Sequence, residues 1–115
     1  MSMMIAACEL SLRLRAVYSL KDKRRIVRQV LERTRARFPV SIAETGDNDV
    51  HHHALVGVAL VTNDRRVGES TLDQLVHFID QLGVAEILQV DREVVPWEAS
   101  WDDGPLTMAD LERSR

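Results

Sequence analysis

The chain has 115 residues, with fifteen Lys plus Arg against eighteen Asp plus Glu and four His, for a formal net charge of −3. One domain is expected at that length, burying about two-thirds of the surface its unfolded chain exposes without disulfide staples. With 45% hydrophobic and 29% charged residues the composition excludes a disordered chain, and the longest apolar run, Ala54 to Val61, is far too short to span a membrane. The N-terminal segment has no basic stretch and reaches Glu9 too early for a signal peptide, so a cytoplasmic location is expected. A lone Cys8 excludes an internal disulfide and a multi-cysteine metal site.

From Ile5 to Leu14, Ala6, Cys8, Leu10, Leu12 and Leu14 alternate with Ala7, Glu9, Ser11 and Arg13. Period two predicts a strand with one buried face. Ser19 and Asp22 have the spacing of an N-cap and its acidic N3 partner, and the charged stretch to Arg37 reads as a helix. At 100° per residue, Leu20, Val27, Val30, Leu31, Thr34 and Phe38 fall in one sector, as a helix lying on a sheet requires. Pro39 ends it. Val40 to Thr45 alternates again, and Gly46-Asp47-Asn48-Asp49 is a cluster of turn residues. Ala54 to Thr62, apolar or small on both sides with Gly57 at its middle, predicts a central strand. Asn63 is placed as the N-cap of a second helix through Leu72, Leu75, Phe78, Ile79 and Leu82, with Gly83 as its C′ residue. Val84 to Val95 reads as the last strand.

The order strand, helix, strand, strand, helix, strand predicts an α+β fold of ferredoxin-like split βαβ topology, a four-stranded antiparallel sheet with two helices on one face. The domain is expected over 1–95. Residues 96–115, with both tryptophans and two of the three prolines, read as an irregular tail, in which Thr107 is placed as the cap of a short terminal helix.

Three stretches carry a resemblance. Arg15-Ala16-Val17-Tyr18-Ser19-Leu20-Lys21-Asp22-Lys23-Arg24 looks like the signature A-x-S-L-K-x-K-R, and Val40-Ser41-Ile42-Ala43-Glu44-Thr45-Gly46 and Val61-Thr62-Asn63-Asp64-Arg65 follow at fitting spacings. Over about residues 3–95 the chain resembles the bacterial YlxP-like family, domain of unknown function 503. The resemblance implies the ferredoxin-like fold and no established activity. Genes of that family often lie beside those of ribosome-binding factor A and an initiation factor, which implies ribosome or RNA business by association alone. One departure is the run His51-His52-His53, where the family usually has a Trp-Gln-Arg-like run. A second is the stretch beyond Val95, which lies outside the shared region.

Charge is unevenly distributed. From Arg13 to Arg37 there are ten basic and two acidic residues, against five basic and sixteen acidic elsewhere. On the first helix Lys21, Arg24, Arg25, Arg28 and Arg35 share one flank, interrupted by Glu32, and such a ridge suits an RNA backbone or a ribosomal subunit. The competing expectation is a solvated flank paired with the acidic second helix. The open sheet face, expected to show Glu9, Ser11, Arg13, Ser41, Ala43, Gly57, Ala59 and Gln89, has no aromatic, so base stacking there is not expected. Its small central residues Ala43, Gly57, Ala59 and Val61 suggest instead a homodimer packed sheet to sheet, or a cover by Trp97 and Trp101, the two interaction candidates of the tail.

His51 and His53 point to one side of an extended segment, and with Asp49 (or Asp47) they form the one conceivable metal position, though two ligands and a neighbour do not make a site. Glu44 beside Asp47 and Asp49 reads as a solvated acidic loop. Cys8 faces inward as a packing residue, and His77 sits exposed without a partner. With no phosphate loop, nucleophile elbow or metal-hydrolase motif, neither enzymatic activity nor a cofactor is expected, and no membrane partner is.

Overall fold

The computed structural model describes residues 3–97 and 108–113. It runs β1 (Met3–Leu14), α1 (Leu20–Arg37), β2 (Ser41–Gly46), β3 (His53–Thr62), α2 (Arg65–Gln81), β4 (Ala85–Trp97) and a short α3 (Met108–Arg113). The sheet order is β2-β3-β1-β4. Every neighbouring pair is antiparallel, so each helix links two parallel strands that enclose a third. This is the ferredoxin-like arrangement expected from the order of elements.

The alternation of β1 sends Ala6, Cys8, Leu10, Leu12 and Leu14 into the core, where they meet Val56 and Val58 of β3, Val27 and Val30 of α1, and Leu72, Leu75 and Ile79 of α2. Each fully buried aliphatic side chain contributes about 1.5–3 kcal/mol. Both helices therefore lie on one face of the sheet and leave the other open. Ser19 caps α1, accepting from the Asp22 N–H at 3.1 Å, and Asp22 answers by accepting from Tyr18 N–H at 3.2 Å. Phe38 is the C-cap, directly before Pro39, and Gly83 lies just beyond α2 at φ +71° as expected.

Two boundaries differ from expectation. Asp64, not Asn63, caps α2: its carboxylate accepts from the Arg66 N–H at 2.9 Å, one residue later than the placement on Asn63. Pro96 does not begin a tail, because β4 continues through Trp97, pairing Pro96 with Met4 and Trp97 with Met3. β4 is an edge strand, and a proline lacking its N–H is tolerated there. The expected cap at Thr107 and the position of Trp101 lie outside the described residues.

Both sheet edges are blunted by an arginine from a helix. Arg35 of α1 donates to the carbonyl of Ile42 on β2 at 2.8 Å, and Arg65 of α2 donates to that of Val94 on β4 at 2.7 Å. Each covers an acceptor that would otherwise be open to another strand.

α2 approaches β1 closely at Gly68, where an added Cβ would stand 3.1 Å from the Cβ of Ala6. A Gly68→Leu variant is expected to push α2 off the sheet and lose about 1–3 kcal/mol by overpacking, read as a lower urea midpoint with an unchanged slope.

Candidate functional site

The N-terminal half of α1 presents Lys21, Arg24, Arg25 and Arg28, all exposed, around one groove of about 310 Å³ that also includes Asp22. Positions 21, 24, 25 and 28 are neighbours on a helix surface, so four cations converge on one strip. Asp22 is the acid among them, 4.0 Å from Arg25. The expected pairing with α2 does not form among the described residues: Glu69 pairs with Arg65 of its own helix, and Asp73 with Arg92 of β4. The fifth member of the ridge is spent differently, since Arg35 is tied to the β2 carbonyl of Ile42.

Lys23 belongs to the buried side of the same helix and is only 1% exposed. Its ammonium lies 3.1 Å from Oε2 of Glu44 on β2 and donates to the backbone carbonyl of Asp47. Glu44 is thus no solvated acid: its Oε2 is buried, outside hydrogen-bond alignment, and held by charge. The signal was present in the sequence, because position 23 falls inside the sector that carries Val27, Val30 and Thr34.

Beyond Lys23 the polar chain continues across the sheet. Asp47, in the left-handed region at φ +59°, places its carboxylate against Nδ1 of His53, and His53 Nε2 lies 2.6 Å from Oγ of Ser11 on β1. A neutral imidazole protonated at Nδ1 donates to Asp47 and accepts from Ser11, satisfying both contacts. With both ring nitrogens of His53 engaged, the His51, His53 and Asp49 set does not assemble, and no cluster of three potential metal ligands occurs among the described residues. The sequence offered no spacing that joins Ser11 to His53.

On the open face the strand register sets Glu9 beside Gly57 and Asp91, and Ala43 beside Gly57. A shallow trough of about 600 Å³ lies there, floored by Ala7, Ala43, Gly57 and Ala59 and flanked by Glu9 and Asp91. Thr45 crosses above Gly57 to donate to Glu9 at 2.8 Å. A Cβ at residue 57 would stand 2.5 Å from the Thr45 methyl, so the crossing depends on glycine. The face is not free of aromatics, as had been expected: Trp97, 53% exposed, pairs with Met3 at one end, near Val61. Trp97 joins this face because β4 runs two residues past Val95.

Cys8 is buried, and burial pushes its thiol up from 9.0 to about 11, against a smaller lowering by the Arg92 charge. The folded state thus favours the neutral thiol. The stability this burial supports is present below pH 9 and is lost as pH rises toward 11, roughly 2–3 kcal/mol in all. Urea titrations should show the parent losing stability relative to Cys8→Ala over that window, and thiol reagents at pH 8 should modify Cys8 only on unfolding. His77 is exposed, and no helix among the described residues is long and apolar enough to cross a membrane.

Four antiparallel strands beneath two helices, with a cationic strip on one helix, define a small α+β sandwich of the ferredoxin-like class. Residues 5–92 match the family model described as "Protein of unknown function (DUF503)", and the chain belongs to that family. It is 37% identical over 62 residues to the "Uncharacterized protein YlxP" of Bacillus subtilis (strain 168), across 54% of this chain and 67% of that protein.

Proposed function

We propose that the chain binds structured RNA, free or within a ribosomal subunit, through the cationic flank of α1. The observation that supports this reading is the convergence of Lys21, Arg24, Arg25 and Arg28 on one exposed groove, with no acid from another element paired to them among the described residues. Long flexible cations on one helical strip neutralise successive phosphates and release their counterions, which gives affinity with little sequence preference. The sheet face is the poorer platform, because Glu9, Asp91 and Glu93 share it and repel phosphate. The same carboxylates weigh against a homodimer stacked centre to centre, since a two-fold axis would set like charges opposite each other. Filter binding of a structured ribosomal RNA fragment at several salt concentrations tests the proposal. Retention at 50 mM salt should fall steeply by 200 mM, with a log–log slope of about −3 to −4 for four phosphate contacts. No retention at low salt, or retention indifferent to salt, overturns it.

A further inference from the structure

Three side chains stand in line, from Ser11 of β1 through His53 of β3 to Asp47 of the loop between β2 and β3. Ser11 Oγ lies 2.6 Å from His53 Nε2, and His53 Nδ1 contacts the Asp47 carboxylate. Hydroxyl, imidazole and carboxylate in that order are the arrangement in which a serine is activated to attack an acyl carbon. Recognition of it depends on geometry and not on a linear motif, which is why the absence of a hydrolase signature in the sequence does not bear on it.

The surroundings favour chemistry over a simple tie between loop and sheet. Asp47 keeps a left-handed backbone that costs a non-glycine residue about 1–2 kcal/mol, and its carbonyl is held by Lys23, itself anchored by Glu44. The carboxylate is thereby fixed before any ligand arrives. Two irregularities flank the line: β1 and β4 change register between Ser11 and Leu12, and β2 and β3 change register between Glu44 and Gly46. Such bulges re-aim side chains and concentrate beside active sites.

The nearest concave space begins at Glu9, two residues along β1 from the hydroxyl. Glu9, on the same face of β1 as Ser11, is part of the wall of the 600 Å³ trough, together with Asp91. On the other side Arg13, 63% exposed in its side chain and 3.5 Å from Glu86, has its Cα paired with that of His53. A cation beside the serine and an acidic trough beyond it set opposite demands on the two ends of a substrate.

We infer that Ser11, His53 and Asp47 form a hydrolytic site for small esters whose acyl chain ends in an ammonium group. Ser11 Oγ bonds to the acyl carbon as the ester C–O bond breaks. The serine proton passes to His53 Nε2 and then to the departing alkoxide, which leaves as the alcohol. Water next attacks the acyl-serine, giving its proton through His53 back to Ser11 Oγ and releasing the carboxylic acid. Arg13 faces the negative charge that develops on the acyl oxygen, and Glu9 and Asp91 hold the ammonium. The site lies on the opposite face of the sheet from α1 and does not depend on RNA binding.

The test uses the full chain with a fluorophosphonate probe and with the p-nitrophenyl esters of 6-aminohexanoate and hexanoate. The amino ester is chosen because its chain spans the roughly 7 Å between residues two apart on a strand. The expected results are a single adduct mapped to Ser11 and faster turnover of the amino ester. Ser11→Ala and Asp47→Asn should each reduce kcat/KM by about 100-fold or more. Glu9→Gln should lower the ratio of amino-ester to neutral-ester turnover by about two- to fivefold, the worth of one exposed charge contact. A probe that leaves Ser11 unmodified, or a Ser11→Ala variant that keeps its fold by circular dichroism and hydrolyses both esters like the parent, overturns the assignment and leaves the line as a structural tie.

Discussion

Replacing Lys23 by methionine is expected to cost about 3 kcal/mol, the low end of the range for removing one partner of a buried ion pair. Lys23 is 1% exposed and Glu44 retains 18% side-chain exposure, so water compensates the stranded carboxylate only in part. In a domain of this size that loss lowers Tm by on the order of 10–20 °C. Methionine keeps the volume of the lysine stem, so the loss reports charge and not a cavity. The double variant Lys23→Met, Glu44→Gln should recover most of the stability, because no ion is then left unpaired. A coupling energy above about 1 kcal/mol in the resulting cycle marks the pair as interacting. Thermal denaturation of the four proteins measures it, and a neutral Lys23→Met would show that the pair carries no weight.

The same substitution should reach the β2–β3 loop. Lys23 holds the Asp47 carbonyl, which also accepts from the Val50 N–H at 3.0 Å. Faster hydrogen exchange at Val50 in Lys23→Met would trace the link from a buried charge to the dynamics of the loop that orients His53.

Reversing Arg24, Arg25 and Arg28 to glutamate should abolish retention of structured RNA at any salt, an effect of at least about 100-fold in affinity. Three phosphate contacts vanish and three like charges face the backbone, whereas neutralisation to glutamine removes the contacts alone and reduces the salt slope by about 0.9 for each. Stability should change by only a few tenths of a kcal/mol, since these side chains are exposed and pair with no acid beyond Asp22 among the described residues. Arg35→Ala serves as the contrast. It should leave the salt slope nearly unchanged, because Arg35 is engaged with the Ile42 carbonyl. A triple glutamate variant that binds like the parent would move any RNA surface away from α1.

Much of the fold is readable along the chain because its determinants are local. A period of two in β1, a 3.6-residue stripe in α1 and the Ser19 cap each depend on residues a few positions apart. The cationic strip is legible for the same reason, since residues three and four apart on a helix share a face. Where local signals were ambiguous the reading slipped by a residue or two: Asn63 and Asp64 are both competent caps, and Pro96 announces a chain break unless the strand is known to lie at an edge.

By itself, then, the sequence determined the class of the fold, the inward set of β1, and which side of α1 carries charge, all consequences of helix and strand periodicity acting on hydrophobic pattern. Tertiary structure alone decided what those groups meet. Lys23 and Asp47 are separated by 24 positions, and Ser11 and His53 by 42. Their contacts exist because β1 and β3 pair in one register, β2 lies at the outer edge, and a buried charge must find a counter-charge wherever the packed chain supplies one.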